Sequence, residues 1–113
     1  MPMIDSKITT PVSQEKRDIL KAELGKAISI MGKSESYLML GFEDNYDLYF
    51  AGKKVEEGAF VTVQLFGALS SGACDKMTAK ICDIYQKQLG LSPDKIYITY
   101  QGIDNWGWNG SNF

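Results

Sequence analysis

Apolar positions along the chain follow two periods, and the switch between them divides it into alternating strands and helices. From about Gln14 to Met31, the residues Leu20, Leu24, Ala27, Ile28 and Met31 recur at helical spacing and form one apolar stripe. Ser13 is placed to cap that helix, Glu15 lies favourably in its first turn, and Gly32 follows the last periodic residue as a stop. A second helix is predicted from about Ala73 to Leu89, with Met77, Ile81, Ile84, Tyr85 and Leu89 on its inner side. It is entered through Ser70-Ser71-Gly72 and stopped by Gly90.

Strand-like runs lie at about Met3 to Thr9, Tyr37 to Glu43, Ala59 to Phe66 and Ile96 to Gln101, with a short extra strand at Leu48 to Phe50 after the Glu43-Asp44-Asn45 turn. Each half of the chain therefore reads strand, helix, strand. The pairs Ser13/Ser71, Gly32/Gly90 and Ser34/Ser92 share one offset, as an internal repeat requires. These elements predict an α+β fold, a two-layer sandwich of one four-stranded mixed sheet with both helices on one face. The run Ala59 to Phe66 is apolar on nearly both faces, as in an interior strand covered on two sides. Two helices cover only one face of such a sheet, so the other is expected to present apolar area that self-association hides.

Composition narrows the function classes. With 113 residues, 44% of them hydrophobic and 23% charged, the chain has material for one globular domain spanning 1–113 and its core. A net charge of -2 with scattered lysines offers no stripe for a phosphate backbone, which argues against a nucleic-acid partner. No run approaches the roughly 20 apolar residues of a membrane span, and Met-Pro-Met-Ile-Asp-Ser-Lys lacks the charged start and apolar run of a signal peptide. A cytoplasmic protein is expected; secretion by a route that reads no signal peptide leaves no mark in a sequence. Cys74 and Cys82 lie in one predicted helix, separated by roughly 12 Å at about 1.5 Å per residue, too far to bridge each other. Both read as reduced packing residues, Cys74 near the helix start being the more open to reaction.

The chain has no His, which removes Ser-His-Asp triads, Cys-His dyads and His-ligated metals. Acid-base work falls to Lys, Tyr, Cys, carboxylates or the chain terminus. There Pro2 directly follows Met1: removal of Met1 leaves a secondary amine able to act as a general base near neutral pH. The plain alternative is that Pro2 only stiffens the start of a strand.

Four segments in order carry a resemblance over the whole length: Met1-Pro2-Met3; Gly32-Lys33 with Tyr37; Ser92-Pro93-Asp94-Lys95-Ile96-Tyr97-Ile98; and Gly107-Trp108-Asn109-Gly110-Ser111-Asn112-Phe113. The chain resembles the macrophage migration inhibitory factor family of the tautomerase superfamily. That resemblance implies a homotrimer with active sites between adjacent subunits, no cofactor or metal, and Pro2 as catalytic base after Met1 removal. The implied substrates are small aromatic α-keto acids such as phenylpyruvate, and dopachrome. Lys33 then matches the residue that pairs with the substrate carboxylate, and Tyr97 the one lent by the neighbouring subunit. Tyr37, Trp106, Trp108 and Phe113 form an aromatic rim, with Phe66 and Thr99 lining the pocket. Each has a plainer reading: Lys33 as a solvated loop lysine, Tyr97 as a strand aromatic, Trp106 as filler of an edge or subunit interface.

Departures from the family pattern are specific. Thr99 stands where an Asn is usual, Phe66 where an Ile is usual, and Trp106 where a small aliphatic is usual, so the pocket is expected to be narrower or reshaped. The Cys-x-x-Cys of the mammalian cytokine is replaced here by Glu57-Gly58-Ala59-Phe60-Val61, which leaves thiol-disulfide chemistry no residues to carry it. The loop Lys53-Lys54-Val55-Glu56-Glu57 reads as a solvated surface turn. If Met1 stays attached, Pro2 is an amide nitrogen without a basic lone pair, and Met1 enters its own pocket. Besides catalysis, the resemblance implies a competing, cytokine-like role as ligand of a cell-surface receptor.

Overall fold

The computed structural model describes residues 1–113. Strand β1 (Pro2–Ile8) leads to helix α1 (Gln14–Ala27) and strand β2 (Met39–Glu43). After two short strands, β3 (Tyr49–Phe50) and β4 (Lys53–Lys54), the pattern repeats as β5 (Ala59–Phe66), α2 (Ser71–Leu89) and β6 (Ile96–Ile103). A terminal hairpin of β7 (Gly107–Trp108) and β8 (Ser111–Asn112) closes the chain.

The main sheet runs β2-β1-β5-β6. Within each half the strands joined by a helix are parallel neighbours, β1 with β2 and β5 with β6, and the halves meet through antiparallel β1 and β5. This is the predicted α+β sandwich, and both helices lie on one face. Ile4 and Ile8 of β1, Ala59, Val61, Val63 and Leu65 of β5, Leu20 and Leu24 of α1, and Met77, Ile81 and Ile84 of α2 share one buried cluster. Alternate residues of β1 and β5 point into it, as the two-residue period of a strand requires.

Local chemistry sets the boundaries. The Ser13 side chain accepts from the Lys16 N–H and starts α1; Ser70 does the same for the Ala73 N–H and starts α2. The second helix begins at Ser71 instead of Ala73 because Ser70, not the Ser-Gly pair, is its cap. The first ends at Ala27 instead of Met31: its last turn tightens into a 3-10 segment, Ile28–Met31, stopped by Gly32 at φ 72. Tyr37 ends another 3-10 turn, Glu35–Tyr37, instead of opening β2.

Three further expectations are corrected. The segment Lys53-Lys54 is not only a surface turn; it pairs with Tyr49-Phe50 around Ala51 and Gly52, whose φ values of 53 and 80 mark a tight hairpin. The last long strand continues past Gln101 to Ile103. The helix-free sheet face is also far less apolar than the run Ala59 to Phe66 suggests, because its core-facing half is already used. The outward residues of β5 are Phe60, Thr62, Gln64 and Phe66, flanked by Asp5 and Lys7 of β1 and by Thr99 and Gln101 of β6. Aromatic rings therefore occupy the two ends of this face and polar groups its middle.

An ion pair fastens the first crossover. Arg17 of α1 lies 3.2 Å from the Asp44 carboxylate and donates to the carbonyls of Val12 and Phe42. The Val12 N–H, and next the Arg17 charge, hold the Asp44 carboxyl below its ordinary range. No helix is long and apolar enough to cross a membrane. Both cysteines are free and half-buried, and burial pushes the Cys82 thiol up.

Candidate active site

The amino end of the chain lies at one end of the sheet. Pro2 is buried at the start of β1, in register with Leu65. One residue beyond Leu65, the backbone of Phe66 is held at both of its polar groups: its N–H donates to the Met1 carbonyl at 3.0 Å, and its carbonyl accepts from the Lys33 ammonium at 3.1 Å. Lys33 reaches there because Gly32, in the left-handed region, turns the chain out of the 3-10 segment just before it. Burial, and next the Lys33 charge, hold the Met1 ammonium below its ordinary value.

Met1, Tyr37, Trp108 and Phe113 line an open apolar cleft of about 470 Å³ beside these groups. The C-terminal hairpin supplies two of the four. Asn109 and Gly110, at φ 52 and 90, form its tight turn, and the Phe113 N–H donates to the Trp106 carbonyl at 3.1 Å. The Phe113 ring packs on Phe66, with centroids 4.8 Å apart and planes tilted by 60°. Trp108 is 66% exposed and Tyr37 67%, so their rings stand as walls and contribute little to the core.

Pro2, Lys33, Phe66, Tyr37, Trp108 and Phe113 are thus gathered at one end of the protomer. Trp106 joins them through its backbone contact to Phe113 and does not line the cleft. Tyr97 and Thr99 are elsewhere. Tyr97 pairs with Phe60 and Thr99 with Thr62, whereas Pro2 pairs with Leu65. At roughly 3.3 Å per residue, Tyr97 lies roughly 17 Å along the sheet from the level of Pro2. One copy of the chain cannot bring both to one ligand.

Met1 forms one wall of the cleft, as expected where it stays attached. Sequence reasoning did not single out Phe50. At the far end Phe50 stacks on Tyr97, with centroids 5.4 Å apart and planes only 19° from parallel. An aromatic followed by Ala-Gly in a very short strand was the available signal, since it marks a ring held next to a tight turn.

The fold and the gathered residues define an α+β sandwich with an amino-terminal proline, a lysine and an apolar aromatic cleft at one end of its sheet. The family model described as "Macrophage migration inhibitory factor (MIF)" matches residues 1–113, and the chain belongs to that family, within the tautomerase superfamily. It is similar to a macrophage migration inhibitory factor homolog of Trichinella spiralis, 25% identical and covering 100% of both chains. Among solved structures, it superposes on Leishmania major MIF2 with a TM-score of 0.91 at 29% identity, covering 100% of this chain and 97% of that one. A homologue from Prochlorococcus marinus gives 0.87 at 27% identity, covering 98% of each.

Proposed function

We propose that the protein is a homotrimeric keto-enol tautomerase for phenylpyruvate-like α-keto acids, dopachrome being a second substrate of the same chemistry, with Pro2 as general base once Met1 is removed. The observation that carries this reading is the Lys33 ammonium, which donates to the Phe66 carbonyl one residue beyond the register partner of the buried Pro2, beside an apolar cleft walled by Tyr37, Trp108 and Phe113. An aromatic ring suits the walls formed by Tyr37, Trp108 and Phe113, and the Lys33 charge orients the carboxylate at its other end.

The Pro2 nitrogen takes a proton from the carbon next to the substrate carbonyl. The C–H electron pair becomes the new C=C bond, the C=O π pair moves to oxygen, and the oxygen takes the proton back from the Pro2 ammonium, directly or through a water, which gives the enol and restores the free base; the reverse sequence regenerates the ketone. Pro2 is more buried than Met1, so the two influences that depress the Met1 amine, burial first and Lys33 second, act as well on the proline amine that Met1 removal frees. Its free-base form is the active one. Activity is therefore expected to rise with pH through a value below the roughly 8 of an ordinary α-amine. Tyr97, roughly 17 Å along the sheet from the level of Pro2, and Thr99 complete the pocket from the adjacent subunit. Phe66, larger than the usual family residue, narrows it through the Phe113 ring packed on it.

The test uses protein whose intact mass shows Met1 to be absent. Pro2→Gly is expected to abolish phenylpyruvate tautomerisation, and Lys33→Ala to raise KM much more than it lowers kcat. Undiminished turnover by Pro2→Gly would refute the mechanism.

A further inference from the structure

Phe50 has no role in the machinery described so far, yet it is 57% exposed in the protomer and lies flat on a second aromatic ring. Its position is well determined. The β3–β4 hairpin turns through Ala51 and Gly52, and the Val55 N–H donates to the Leu48 carbonyl at 2.8 Å, closing the hairpin at its base. Val55 itself is buried, 7% exposed, and pins that base to the body of the molecule. Phe50 at the turn is thus presented from a fixed mount, and its ring runs parallel to that of Tyr97. Tyr97 has no side-chain hydrogen bond, and the Phe50 ring is the aromatic group stacked on it.

We infer that Phe50 is a positioning residue for the active site of the neighbouring subunit: it fixes the Tyr97 ring in the attitude in which that ring borders the neighbour's substrate. This rests on the proposed composite site, to which Tyr97 is lent by the adjacent chain. Phe50 touches no substrate and acts only through Tyr97. Its effect is on the aromatic end of the ligand and not on the proton transfer at Pro2, so it should appear in KM, with the pH profile unchanged.

Phe50→Ala, Phe50→Leu and Phe50→Tyr are compared with wild type, all with Met1 removed. Loss of an aromatic stack is expected to raise KM for phenylpyruvate roughly 3- to 10-fold in the Ala and Leu variants, with kcat changed less than KM. Phe50→Tyr keeps a ring and is expected to stay near wild type. Hybrid oligomers formed from Pro2→Gly chains and Phe50→Ala chains give the sharper result. Every competent Pro2 there belongs to a Phe50→Ala chain, but some of those sites face an intact Phe50 across the interface. A component with wild-type KM supports the inference, and a single elevated KM overturns it by showing that Phe50 serves its own chain's site.

A readout independent of turnover is the NMR shift of the Tyr97 ring protons, displaced by the ring current of Phe50. It should collapse in Phe50→Ala and persist in Phe50→Tyr; an unmoved shift overturns the inference. The two readings fail differently. An inactive wild type brings down the tautomerase reading and this inference with it, whereas an active wild type with unchanged KM in Phe50→Ala brings down this inference alone.

Discussion

Ser6 is the one polar residue buried in the core, and its hydroxyl meets the hydroxyl of Tyr85. The two tie β1 to α2 through an apolar region, where each satisfies the other and burial pushes the Tyr85 hydroxyl above its ordinary value. Ser6→Ala leaves the Tyr85 hydroxyl buried without a partner and is expected to cost about 1–3 kcal/mol. Ser6→Ala with Tyr85→Phe removes both polar groups and should recover much of that loss, read as a return of the urea midpoint toward wild type with the same slope. A double variant no more stable than Ser6→Ala would dismiss the pairing. The helical period identifies Tyr85 as inward-facing but not its partner, 79 residues away, because no local pattern encodes which strand lies under a helix. Pro2 and Lys33 stand out in the sequence for the opposite reason: a proline behind Met1 and a lysine behind a helix-stopping glycine are local signals, and the chemistry proposed for them came from a family resemblance.

At the scale of elements, the long periodic segments were readable, and of the short strands only β3 was, from the turn before it. Seven- and eight-residue strands show their alternation in sequence. Strands of two residues, such as β7 and β8, are too short to have a period. Only their turn identifies them, and Asn109-Gly110 is the favoured pair for a turn with two positive φ angles. That turn decides whether Trp108 and Phe113 converge on the cleft. Gly110, at φ 90, has open space where a Cβ would go, so Gly110→Ala meets backbone strain and no clash. The strain is roughly 1–2 kcal/mol. It falls on a hairpin outside the buried cluster, so the expected outcome is a several-fold rise in KM for phenylpyruvate with little change in the thermal midpoint. A large drop in thermal midpoint with unchanged KM would separate the hairpin from the site.

Across the whole molecule, the aromatic residues left exposed form two dissimilar patches at opposite ends of one sheet. Tyr37, Trp108 and Phe113 lie with Phe66 at the Pro2 end; Tyr49, Phe50 and Tyr97 lie at the other. The middle of the open face is polar, with Gln64 donating to Gln101 at 3.3 Å. The sequence suggested burial of that whole face because the run Ala59 to Phe66 was read as doubly apolar; the register shows that its central outward positions are Thr62 and Gln64. In the homotrimer we propose, the two patches join head to tail and the contacts close into a ring of three. Each junction then contains one Pro2 and one Tyr97. Catalysis should therefore depend on assembly: light scattering is expected to give the mass of three chains, and activity per chain should fall on dilution in step with dissociation, even while circular dichroism shows the sandwich intact. Full specific activity in a preparation shown to be monomeric would mean that the roughly 17 Å between Pro2 and Tyr97 is irrelevant to turnover, and that the far patch serves some other contact.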